Sequence, residues 1–127
     1  MKTENQPVIA GTQEKLYDLG TIEKFCHGDI DEVKEMVVIF IDEVLTLVDE
    51  IKAAYRNNDF EGIKKLTHNI KPVISYYDAV KIQNELKLID VLAEQRMHTE
   101  IFEAKMATLQ SAISQVVEDM NKTILNG

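Results

Sequence analysis

Phe60-Glu61-Gly62-Ile63-Lys64-Lys65-Leu66-Thr67-His68-Asn69-Ile70-Lys71-Pro72-Val73-Ile74-Ser75-Tyr76-Tyr77 is the stretch that decides the fold. Phe60, Ile63, Leu66, Thr67, Ile70, Val73, Ile74 and Tyr77 recur at steps of three and four, the spacing of one helix face. At about 100° per residue this set fills one broad arc, and His68 falls roughly 160° from its centre. His68 therefore belongs to the wet face, beside Glu61, Lys64, Lys65, Lys71, Pro72 and Ser75. An imidazole turned to water, with lysines around it, is placed for chemistry with something that arrives from outside. An exposed histidine on a helix is more often a plain surface residue, so placement alone does not assign a role.

The same periodicity extends on both sides. Leu16, Leu19, Ile22 and Phe25 predict a short helix over Leu16 to Phe25, ended at Gly28-Asp29. Asp29 or Asp31 then caps a long second helix, about Asp31 to Arg56, with Val33, Val37, Phe40, Val44, Val48, Ile51 and Tyr55 inward. Asn57-Asn58-Asp59 stops it and caps the helix that carries His68, and Asp78 is the next break or cap. A fourth helix runs from about Ala79 to Glu94, with Ala79, Ile82, Leu86, Ile89 and Ala93 inward. After a polar turn at Arg96 to Thr99, the last helix reaches about Leu125 with Phe102, Met106, Leu109, Ile113, Val116, Met120 and Ile124 in register. Amphipathic helices joined by short connections pack as antiparallel neighbours, and each alone is marginal. The expected fold is all-α: an antiparallel up-down four-helix bundle with a short additional N-terminal helix. Residues 1–15 read as a loose arm and residues 16–127 as one domain.

Composition narrows the function. The chain has 127 residues, 45% hydrophobic and 28% charged, with five glycines, two prolines and no tryptophan. A net charge of −8 argues against general nucleic-acid binding. Cys26 is the one cysteine and reads as a small buried hydrophobe. No Cys and His set has zinc-ligand spacing, so no metal or cofactor is expected, and His27 and His98 are given no role. The longest apolar run, Met36 to Ile41, is six residues, too short for a membrane span, and no signal-peptide pattern is evident. A cytoplasmic monomer with no membrane or nucleic-acid partner is the default. Val38, Ile39 and Leu45 lie off the main stripe and are expected to pack under the N-terminal helix, the alternative being an exposed docking patch. Tyr76 and Tyr77 read as packing residues, and Met36, Met97, Met106 and Met120 as core or boundary residues.

The run His68-Asn69-Ile70-Lys71-Pro72 followed by Ser75 resembles the signature of histidine-containing phosphotransfer (HPt) domains: His, any residue, an aliphatic residue, Lys, then Gly or Pro and small residues. The layout is similar too, with a short helix before four long ones and the histidine midway along the second long one. The layout extends over about Leu16 to Leu125, while the specific motif spans only about ten residues. The resemblance implies that His68 is the phosphorylated residue and that Lys71, one turn along, contacts the phosphoryl oxygens. Lys64, Lys65 and Ser75 are supporting residues, the lysines through their charge and Ser75 through clearance for a partner. The family often places Gln or Glu 22 residues after the histidine, and that position here is Asp90. An aspartate there is expected to accept from Nδ1–H and leave Nε2 as the nucleophile; it also reads as a solvated helix carboxylate.

Four further positions depart from the family's usual residues. Pro72 removes the backbone donor of the His68 carbonyl, so a kink or a water is expected there. Val73 and Ile74 replace small residues and fit the apolar arc. Asp78 replaces a glycine expected ten residues after the histidine.

The resemblance implies a phosphohistidine phosphocarrier in a multistep two-component phosphorelay. His68 would accept a phosphoryl group from a response-regulator receiver aspartate, including that of a hybrid sensor histidine kinase, and pass it to another receiver. Any Mg²⁺ would be on the receiver. No Gly-rich phosphate loop of Walker or kinase type is present, so autonomous kinase activity is not expected. The alternative is a non-phosphorylated helical-bundle adaptor that binds a receiver or kinase. A general-base enzyme lacks an evident second catalytic group.

Overall fold

The computed structural model describes residues 15–126. Among them are five α-helices and no strand: α1 (Gly20–Phe25), α2 (Ile30–Arg56), α3 (Phe60–Tyr76), α4 (Val80–Ala93) and α5 (Glu100–Met120), the last running into a π-helical turn at Asn121–Leu125. Each of α2 to α5 packs on the next, and α5 returns to α2, so the four long helices close a bundle. The short α1 lies against α2. Most of the expected arm, residues 1–14, lies outside the described residues.

The starts of the long helices follow from side-chain caps. Asp29 accepts from the amides of Asp31 and Glu32, Asp59 from Gly62, and Thr99 from Phe102. Each satisfies an amide that the first helical turn leaves without a partner. Helix α4 has no such cap. Helix α1 begins four residues later than its apolar spacing suggests. Asp18 explains the delay: its side chain takes the Gly20 amide at 2.7 Å, and its own amide is held by the Tyr77 carbonyl at 2.9 Å. The backbone before Gly20 is thus committed to α3's end rather than to a helical turn.

Every junction between helices contains one non-glycine residue in the left-handed region: His27, Asn58, Asp78 and Arg96, with φ of 53°, 59°, 51° and 54°. A single left-handed residue halts the helix and turns the chain back within two or three positions. Asp78 accordingly does not cap α4. It adopts the conformation that glycine takes without steric cost, at the position where the resemblance implies a glycine.

The core is formed by the stripes that the sequence marks. Val37, Phe40 and Val44 of α2, Ile63 and Ile74 of α3, Ile82 and Ile89 of α4, and Phe102 and Met120 of α5 are fully buried. Leu47 joins the α2 stripe, whereas Leu66, Val73, Met106 and Ile124 are only partly buried. Tyr77 stacks on Phe40 with centroids 4.1 Å apart and donates its hydroxyl to the Met36 carbonyl at 2.9 Å. At the other end Tyr55 stacks on Phe102 at 4.6 Å, receives the Thr99 amide at 3.0 Å and donates to Glu103 at 2.9 Å.

Several local expectations are corrected. Val38, Ile39 and Leu45 are exposed rather than covered by α1. With only six residues, α1 buries Ile22 alone, with Cys26 just beyond its end, and has no surface left for them. Tyr76 is exposed while its neighbour Tyr77 is buried, because the two point to opposite sides of the helix end. Met97 is exposed in the α4–α5 turn. His98, given no role, fastens that turn: Nε2 lies 2.8 Å from the Tyr55 carbonyl and the ring lies on Tyr55 at 4.3 Å. Cys26 is buried, with Sγ 3.5 Å from Met36 Sδ, and burial raises its thiol pKa. No described helix is long and apolar enough to cross a membrane.

Candidate functional site

His68 lies midway along α3, and its side chain is 67% exposed. The residue before it, Thr67, is buried. This sharp change across one peptide follows from the helix turn: Thr67 falls inside the apolar arc and His68 outside it. Helix α3 continues unbroken through Pro72. Both His68 and Pro72 are exposed, so the carbonyl that loses its donor lies on the side where water can reach it.

The partner of this surface is α4, which runs antiparallel to α3. Their facing polar residues form a ladder along the seam. Glu61 pairs with Arg96, Lys64 with Glu94, and His68 with Asp90. Two turns further, Gln83 Nε2 donates to Ser75 Oγ at 2.8 Å. The register between these rungs sets Lys71 opposite Lys87. His68, Lys71, Lys87 and Asp90 line an open groove of about 250 Å³, with Gln83 and Asn84 on its α4 side and Thr67, Ile74 and Leu86 contributing deeper surface.

Asp90 does reach His68, but not as the resemblance implied. Its Oδ1 lies 3.4 Å from Nε2, not from Nδ1. The short aspartate side chain meets the ring nitrogen that extends furthest from the α3 backbone. The same Oδ1 lies 3.2 Å from the Thr67 hydroxyl, which is also 2.9 Å from the Lys64 carbonyl. One hydroxyl proton serves both acceptors only as a shared bond. The carboxylate favours a proton on Nε2, which leaves the lone pair on Nδ1. An imidazole this exposed is free to turn and present either nitrogen.

The lysines separate into two groups. Lys64 is on the right face, but Glu94 already meets its charge. Lys65 is exposed and lies outside the groove. Lys71 lines the groove, and so does Lys87, which the sequence reading passed over. Among the described residues, neither has a carboxylate within ion-pair distance. A signal for Lys87 was present: Gln83, Lys87 and Asp90 fall at steps of four and three on α4, so they share a face once Asp90 is placed opposite His68. Ser75 stands at the end of the groove, engaged by Gln83.

The arrangement supplies an accessible imidazole, a carboxylate to balance a positive ring, and cations beside it. Among the described residues, no group of three or more His, Cys, Asp or Glu side chains is arranged to hold a metal ion. Comparisons with family models, curated proteins and solved structures returned no match for this chain.

Proposed function

We propose that this chain is a phosphohistidine phosphocarrier: His68 takes a phosphoryl group from an aspartyl-phosphate of a receiver domain and yields it to another. The observation that carries this reading is the placement of His68, an exposed imidazole midway along α3, beside the Asp90 carboxylate and in one groove with Lys71 and Lys87. The HPt-like motif His68 to Ser75 supports it independently of the geometry.

The step balances simply. The lone pair of the neutral imidazole forms an N–P bond as the P–O bond to the receiver aspartate breaks, and that electron pair leaves with the aspartate carboxylate. The other ring nitrogen keeps its proton, so the ring becomes positive and Asp90 lies beside that charge. Lys71 offsets the negative oxygens of the transferring group. The reverse step returns the phosphoryl group to a second receiver. Transfer of this kind rests on positioning and charge rather than on a deep cavity, and an open groove admits a large partner surface. The receiver would supply any Mg²⁺.

One observation favours a second reading. Phe25, Ile39 and Tyr76 are exposed around an apolar groove that also reaches Ile22 and Met36, a surface that would serve an adaptor without chemistry. Incubation with a phosphorylated receiver separates the two. A phosphocarrier acquires an acid-labile, alkali-stable label that His68→Gln abolishes. An adaptor binds the receiver and acquires none.

A further inference from the structure

The seam between α3 and α4 contains one rung that does not match the others. Glu61 and Arg96, Lys64 and Glu94, and His68 and Asp90 bring opposite or complementary charges together, and Ser75 and Gln83 share a hydrogen bond. Between the last two rungs, the register places Lys71 and Lys87, two like charges, on opposite walls of the same groove. In a protein of net charge −8 this is not a shortage of carboxylates. Like charges on facing positions destabilise a pair. The rung lies one turn from His68, in the same groove, with the side-chain amides of Gln83 and Asn84 on its α4 wall.

We propose that the Lys71–Lys87 rung is a seat for a tetrahedral phosphoryl dianion, with Lys87 as a second phosphoryl ligand supplied by α4. One lysine from each helix reaches the anion from opposite walls, which fixes its position better than two cations on one helix. The anion completes the seam by supplying the negative charge that the rung lacks. For a phosphoryl group carried on His68 this rests on the phosphocarrier reading; for free phosphate it does not. The two sources share one chemistry and are separated by the test.

Inorganic phosphate is titrated into the full chain at constant ionic strength, with chloride as the replaced anion, and followed by NMR at the Lys71, Lys87 and His68 signals. The wild type and His68→Gln are expected to bind alike. Lys87→Gln is expected to weaken binding about five- to tenfold, as for loss of one charge-assisted contact. Lys87→Glu, which gives Lys71 a partner, is expected to abolish binding while raising Tm by about 2–4 °C. Lys81→Gln, on the same helix but outside the groove, is the control and should match the wild type. In a second arm the wild type and Lys87→Gln are phosphorylated from a receiver, and the lifetime of the histidine label is compared; a several-fold shorter lifetime is expected in the variant. Unchanged phosphate binding and an unchanged label in Lys87→Gln overturn the seat and leave the phosphocarrier reading intact. Phosphate binding that needs Lys87, in a wild type that takes no label from any receiver, upholds the seat and overturns the phosphocarrier reading.

Discussion

Nε2 of His68 stands 3.4 Å from Oδ1 of Asp90, across the seam between two antiparallel helices. The contact links the one histidine turned outward on α3 to a carboxylate that is itself only partly exposed, 28% by side chain. It becomes an ion pair only when the ring is positive. In the proposed transfer, Asp90 would therefore interact most strongly with the imidazole as the ring gains a phosphoryl group and keeps a proton.

Asp90→Asn keeps the shape of the side chain and removes that charge. Transfer to His68 is expected to slow about three- to tenfold, an amount fitting one partly screened charge interaction. Rapid-quench kinetics with a phosphorylated receiver measure it. Folding should be little affected, since the Thr67 hydroxyl can still donate to an amide oxygen. An unchanged rate would leave Asp90 as a solvated helix residue.

Tyr77 gives a pH dependence. Burial, then the nearby Glu43 and Cys26, pushes its phenol up to about 12 from the ordinary 10.0. Below pH 10 both folded and unfolded chains hold the proton, and the stabilisation is fully present. Between about pH 10 and 12 the unfolded chain releases its proton first, so stability falls as pH rises. Urea unfolding across this range should show the fall. Tyr17 and Tyr55 are shifted in the same direction, chiefly by burial, so Tyr77→Phe should reduce the slope without removing it. At neutral pH that variant should lose about 1 kcal/mol with the hydrogen bond to Met36.

Asp78 sits at φ 51° between α3 and α4. A non-glycine residue there costs roughly 1–2 kcal/mol, and aspartate at the lower end. Asp78→Gly is thus expected to stabilise the fold by about 1 kcal/mol, less what the more flexible unfolded chain takes back. Chemical denaturation reads it directly, and a loss of stability would mean that the aspartate side chain has a function at the turn.

The bundle was legible because its stripes are regular. From Val33 to Tyr55 and from Phe60 to Tyr77, apolar residues recur at helical spacing with few interruptions, and most of the marked positions are buried. Asp29 and Asp59 were readable as caps for the same local reason. Positions set by tertiary contact were not. Asp18 is drawn out of α1 by a bond to Tyr77, a residue far away in sequence. His98 gains its place from Tyr55. The left-handed turn at Arg96 carries no residue signal that marks it. At the site, His68 and Lys71 share a helix, so their relation could be read from spacing. Lys87 and the ring nitrogen that Asp90 meets depend on the register of α4 against α3, which a single sequence does not carry.

The central claim is that His68 carries a phosphoryl group. Its most direct test is transfer from a panel of phosphorylated receivers to the full chain, with the linkage read by acid lability and the site by His68→Gln. The expected result is an acid-labile, alkali-stable label on the wild type that is absent from the variant. A label that persists in His68→Gln, or a wild type that binds receivers and never takes label, contradicts it.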